Sequence, residues 1–137
     1  MRLFLFAALI CSFFIGCKKK PIDPPSLTKQ ELISGKTSKT WQIQKLYLNG
    51  TLYALSPQEL QYTITYKADS TYVDSDGMGG KYLMDNAGEK LIETLTTAGN
   101  GKFTYKIETL NESSLILLLV DDGFGKNPNT QYHYLAK

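Results

Sequence analysis

Two acidic turns, one histidine and a set of nine tyrosines are the residues beyond the first twenty whose types could do chemistry. Asp74-Ser75-Asp76-Gly77 and Asp121-Asp122-Gly123 gather carboxylates, the ligands that calcium prefers. A helical calcium loop opening on Asp74 needs a ligand at its ninth position and a bidentate Glu at its twelfth. Those positions hold Tyr82 and Asp85. Asp-Gly is also an ordinary turn pair, and turns are the simpler reading. His133 stands alone between Tyr132 and Tyr134. One His with no Cys or second His beside it does not make a typical zinc site. No G-x-S-x-G nucleophile elbow occurs. Gly77-Met78-Gly79-Gly80 lacks the Lys-Ser/Thr ending of a phosphate loop and precedes a strand pattern. The expectation is therefore a protein that is not an enzyme and uses no metal or cofactor. The tyrosines leave two readings open. Their rings and hydroxyls suit a ligand pocket, and Tyr is also simply a good strand residue.

Cys17 is the other reactive group, and its context is at the start of the chain. Met1-Arg2 precedes Leu3 to Gly16, a run without a charge. One cation before a short apolar run is the layout of a secretory signal. The run is shorter than the ~20 residues that cross a bilayer. Phe14-Ile15-Gly16-Cys17 resembles the lipobox of bacterial lipoproteins. The resemblance implies that the bond before Cys17 is cut and that Cys17 is acylated, with palmitate-type chains. Gly16 is the small residue such a site needs, whereas Cys11 follows bulky Ile10. Phe14 stands where that family prefers Leu, so a plain secretory signal is the alternative. Acylation also accounts for the single Cys left in the mature chain. Two or three acyl chains, at ~0.8 kcal/mol per buried methylene, make a stable anchor.

Lys18, Lys19 and Lys20 fall where anionic headgroups would be, an attraction worth ~1 kcal/mol each. They serve equally as a solvated spacer. Pro21, Pro24 and Pro25 make the following segment a semi-rigid tether. By resemblance to lipoprotein sorting, the absence of Asp after Cys17 points to the outer membrane. The absence of an acidic stretch there favours its periplasmic face over the cell surface.

The whole chain has 137 residues and a formal charge of +2. The excess belongs to the signal and tether. From Ser26 onward eleven lysines face twelve carboxylates, a net −1, and no Arg follows Arg2. Arg is the preferred fork for phosphates and guanine edges, so nucleic acid is excluded as a partner. Residues 1–16 read as signal, 17–26 as tether and 27–137 as one domain large enough for a single core.

The elements of that domain must position the candidate residues. Thr28-Lys29-Gln30-Glu31 is a capping box, and Gly35 is placed to stop a short helix over 28–34. Ser56-Pro57-Gln58-Glu59 repeats the signature and predicts one more helical turn. The rest alternates as strands. These cover 41–48, 61–67, 70–74, 81–84, 90–96, 102–110, 114–120 and 130–136. Tyr62, Ile64 and Tyr66 share one face of their strand, as do Phe103, Tyr105 and Ile107. Asp69-Ser70-Thr71 is a turn before a strand and also resembles a short O-glycosylation motif at Ser70 or Thr71. Short turns favour sequential antiparallel neighbours. The predicted fold is all-β: an eight-stranded antiparallel up-and-down barrel with a short N-terminal helix. A two-sheet sandwich is the structural alternative.

Leu32 to Trp41, with the strand rhythm after it, resembles the lipocalin-like lipoproteins of Bacteroidota over about residues 27–137. The resemblance implies a barrel with Trp41 plugging one end, and it implies no catalytic residues. The functional expectation is a membrane-anchored barrel binding a small apolar ligand. Its candidate pocket is Tyr62, Ile64, Tyr66, Phe103, Tyr105 and Ile107. The alternative is an inhibitor or envelope-assembly barrel with a packed interior, contacting a protein partner through the loops at 75–80 and 121–129.

Overall fold

The computed structural model describes residues 26–97, 99–124 and 129–137. The signal, nearly all of the tether, Cys17 and the centre of the 121–129 loop lie outside the described residues. Helix α1, Lys29–Ser34, begins on the capping box read from the sequence. Thr28 Oγ1 accepts the Glu31 N–H at 3.1 Å, and the Glu31 carboxylate accepts the Thr28 N–H at 2.8 Å. Two otherwise unpaired backbone donors are thereby satisfied. Gly35 ends the helix.

Nine strands follow. They are β1 (Ser38–Leu48), β2 (Thr51–Tyr53), β3 (Thr63–Lys67), β4 (Thr71–Asp74) and β5 (Gly79–Met84). After them come β6 (Lys90–Leu95), β7 (Lys102–Leu110), β8 (Ser114–Asp121) and β9 (Thr130–Ala136). Every pairing is antiparallel. Each strand from β3 to β9 lies beside the next. β9 returns to pair with β1, from Trp41↔Ala136 to Leu48↔Thr130. Eight strands thus close an up-and-down barrel, as the sequence predicts.

β2 is the strand the sequence reading omits. Asn49 and Gly50 both adopt positive φ, 51° and 78°. That is the backbone of a two-residue hairpin turn whose twist matches its strands. It lays Thr51–Tyr53 back along Leu46–Leu48. One edge of β1 is therefore shared, with β3 on Ser38–Gln42 and β2 on Leu46–Leu48. The chain between them includes a single 3-10 turn, Glu59–Gln61, in place of the helical turn expected at 57–60.

Alternation directs one side of each strand inward. The inward set includes Trp41 and Ile43, Ile64 and Tyr66, Leu91 and Glu93, and Leu115 and Leu117, all buried. At the end of the barrel next to α1 the interior is filled. The Trp41 indole Nε1 donates to the Ile33 carbonyl at 2.8 Å and is wholly buried. Lys39 Nζ lies 4.2 Å from the centroid of the Trp41 ring and donates to the Leu32 carbonyl at 2.9 Å. The Tyr82 hydroxyl donates to the Lys67 carbonyl at 2.7 Å and accepts from Gln30 Nε2. The helix is thus tied to β1, β3 and β5.

β5 crosses β6 at Gly80↔Leu95, and a Cβ at Gly80 would lie 1.9 Å from the Thr94 carbonyl oxygen. The obstacle is backbone and cannot swing aside. Gly80→Ala is therefore expected to lower the urea midpoint by the equivalent of about 1–3 kcal/mol. Lys81→Ala, on the exposed neighbouring position, should stay within about 0.5 kcal/mol of the parent. Equal midpoints for the two variants would contradict the close approach.

Candidate functional site

The other end of the barrel is open. A cavity of about 600 Å³ enters there between the strap of residues 55–61 and the β4–β5 turn. Pockets that hold small ligands span ≈ 300–1,000 Å³. The strap forms because β3 starts late on β1, which leaves residues 54–62 to cross the rim. Ser56 and Glu59 hold it by reciprocal bonds: the Glu59 carboxylate accepts the Ser56 N–H at 2.7 Å, and Ser56 Oγ accepts the Glu59 N–H at 3.2 Å. These bonds hold the Glu59 carboxyl below its ordinary range. Gln42 Nε2 donates to the Leu60 carbonyl at 2.8 Å and joins the strap to β1.

Tyr62, Tyr66, Tyr105, Tyr132 and Tyr134 line the cavity. Ile43, Leu46, Ile64 and Leu117 supply aliphatic wall between the rings. Tyr105 and Tyr132 meet edge to face, with centroids 6.1 Å apart, and Tyr132 stacks on Tyr134 at 6.2 Å. Such pairs fix ring orientation. The Tyr62 hydroxyl donates to Asp74 Oδ2 at 3.1 Å. Burial, above all, holds the hydroxyls of Tyr62, Tyr66, Tyr105 and Tyr134 protonated well beyond the ordinary tyrosine range.

Among these rings lies Glu93, 5% exposed. Its carboxylate accepts from the Tyr66 hydroxyl. Burial pushes the carboxyl from 4.5 up to about 7; hydrogen bonding from Tyr66 and Tyr105 pulls it down, and the charge of Asp74 pushes it up. A lone carboxyl at that value can accept or donate a proton or pair with a cation near neutral pH. No Ser, Thr, Cys or His nucleophile–base pair accompanies it in the cavity wall. Among the described residues no group of three or more His, Cys, Asp or Glu is placed to hold a metal.

Of the six candidate pocket residues, Tyr62, Ile64, Tyr66 and Tyr105 line the cavity, whereas Phe103 and Ile107 do not. The β7–β8 register shifts between Thr104 and Tyr105 and again between Ile107 and Thr109. Neither shift turns these residues over: Phe103 pairs with Glu93 and Tyr105 with Leu91 on the inward side, and Ile107 follows on the same side, so the three differ in position along the strand. Ile107 is half-buried against the core, and Phe103 lies beside Gly101. Glu93, Tyr132 and Tyr134 were missed. Glu93 had a signal: it alternates with Leu91 and Leu95 and so shares their face.

The remaining candidates have local roles. Asp74 Oδ1 accepts the N–H groups of Asp76 and Met78, at 3.0 and 2.8 Å. Asp121 and Asp122 accept from the Gly123 and Phe124 N–H groups. Asp69 accepts the Thr71 N–H and hydroxyl, with Ser70 at a φ of 65°. All three are turns closed by an Asp side chain. His133 stands outside the cavity wall, against the Tyr47 ring at 5.0 Å and bonded to Gln131. The chain matches no family model and no curated protein.

The raised Glu93 value fixes the sign of a pH effect. Between pH 4.5 and about 7 the folded state keeps a proton that the unfolded state has lost. Stability therefore falls as pH rises through that window, by at most about 1.4 kcal/mol per pH unit, and levels off above it. Glu93→Gln should flatten the dependence in chemical unfolding measured from pH 4.5 to 8. An unchanged slope would mean that Glu93 does not titrate there.

Proposed function

We propose that this chain is a lipocalin-like lipoprotein of the bacterial outer membrane, anchored through acylated Cys17, whose barrel carries a small ligand with a largely apolar skeleton. The carrying observation is the open, tyrosine-lined cavity in a barrel otherwise filled by its own side chains. An up-and-down barrel of eight strands has an interior wide enough for one small ligand. The cavity favours this reading over a packed barrel that works only through its loops. Among the described residues no helix is long and apolar enough to cross a membrane. In this reading attachment is through Cys17 and the lysines after it. The lack of Asp after Cys17 supports the outer membrane, and the lack of an acidic stretch there supports its periplasmic face.

Two measurements test the reading. Native mass spectrometry of the gently purified protein should release a small molecule on denaturation, and a uniformly ligand-free protein that also excludes apolar dyes would overturn the carrier role. In cell fractionation, Cys17→Ser should leave the membrane fraction and lose incorporation of labelled palmitate. Retention of the variant in the membrane would refute the anchor.

A further inference from the structure

The charges around the cavity are one-sided. Glu59, Asp76 and Glu93 line it, and Asp74 reaches it through the Tyr62 hydroxyl. Among the described residues, no Lys, Arg or His is in its wall. Glu93 is the decisive member, because it is buried and the charge acting on it, Asp74, has its own sign. A buried carboxylate without a counter-charge is costly, and an apolar residue at that position would pack the barrel more cheaply. Five tyrosines share its wall, a residue type whose ring face attracts a cation. Resting on the carrier reading above, we propose that the ligand is a small organic cation, an amine or quaternary ammonium on an apolar skeleton. Its charge pairs with Glu93 within the tyrosine cage, and its skeleton lies along Ile43, Ile64 and Leu117. The rim carboxylates Glu59 and Asp76 draw the cation to the mouth.

The pairing is pH-dependent, and the groups facing Glu93 set its course. These are Tyr62 just before β3 and Tyr66 within it, Tyr72 and Asp74 from β4, and Tyr105 from β7, with Tyr132 and Tyr134 from β9. The tyrosines stay neutral near pH 7, so Glu93 is the group among them whose charge changes as pH rises toward 8.

Matched probes of one skeleton test the inference: 2-phenylethylamine, its trimethylammonium derivative, 2-phenylethanol and phenylacetate. Each is titrated calorimetrically into the full acylated chain in nanodiscs. Both cations should bind at least about tenfold tighter than the alcohol, and the carboxylate should bind weakest. Amine affinity should rise from pH 5.5 to 8, while alcohol affinity stays level. Glu93→Gln should remove the preference for the cations over the alcohol. A second readout needs no variant: the amine should shift the Glu93 carboxyl carbon titration to lower pH, and the alcohol should not. Equal or tighter binding of the alcohol would overturn the cation and leave the carrier reading standing. Binding by none of the four would overturn the cation, and exclusion of apolar dyes as well would overturn the carrier reading.

Discussion

The ladder between β1 and β9 is the constraint on which everything else depends. Without it the eight strands are an open sheet with two bare edges and no inside. With it, every inward side chain faces another strand across the lumen. β1 is the longest strand, eleven residues, because it must serve three partners. It pairs with β9 along most of one edge and shares its other edge between β3 and β2. That division has a consequence at the rim. Where β3 has not yet begun, the wall is made by the strap instead, and there the lumen is open.

The two ends of the lumen solve the burial of polar groups differently. Near α1 each polar group meets a protein partner: the indole N–H reaches the Ile33 carbonyl, and Lys39 reaches the Leu32 carbonyl. Desolvation lowers the Lys39 pKa there, while its ammonium lies over the Trp41 ring. Toward the mouth the hydroxyls and carboxyls pair mainly with one another, Tyr62 with Asp74 and Tyr66 with Glu93. Among the described residues of the cavity wall, no cation closes that network. The contrast explains why one end reads as a plug and the other as a site.

Much of this was legible in the residues. The capping box at Thr28–Glu31, the turns at Asn49-Gly50 and Asn111–Ser113, and the alternation in β3 depend on local chemistry, which sequence displays directly. Four of the six candidate pocket residues line the cavity for the same reason. Three features were not legible because they depend on distant partners. β2 is only three residues long and exists by lying on β1. Which residues of the inward face of β7 border the cavity is set by its partners on β6 and β8, so the separation of Tyr105 from Phe103 and Ile107 cannot be read from β7 alone. The strap lines the cavity because of where β3 joins β1, which no motif in residues 54–62 announces. Glu93 is an intermediate case. Its alternation with Leu91 and Leu95 was visible, but a charged residue in a short strand is ordinarily assigned to the outer face.

Glu93 also shows what the fold gives up. A leucine-filled lumen would be more stable than one with a carboxyl among phenols, since hydrogen bonding only partly offsets the loss of hydration. The offset here is directional: Tyr66 and Tyr105 favour the ionised form, while burial and Asp74 oppose it. The opposing effects leave the group near the middle of its titration at neutral pH, where a modest added interaction decides its charge. A group held in that balance does little for the fold and responds strongly to whatever enters beside it. Local conflicts between stability and chemistry mark functional positions in natural proteins. Among the residues of this cavity, Glu93 is the one whose burial the barrel alone does not explain.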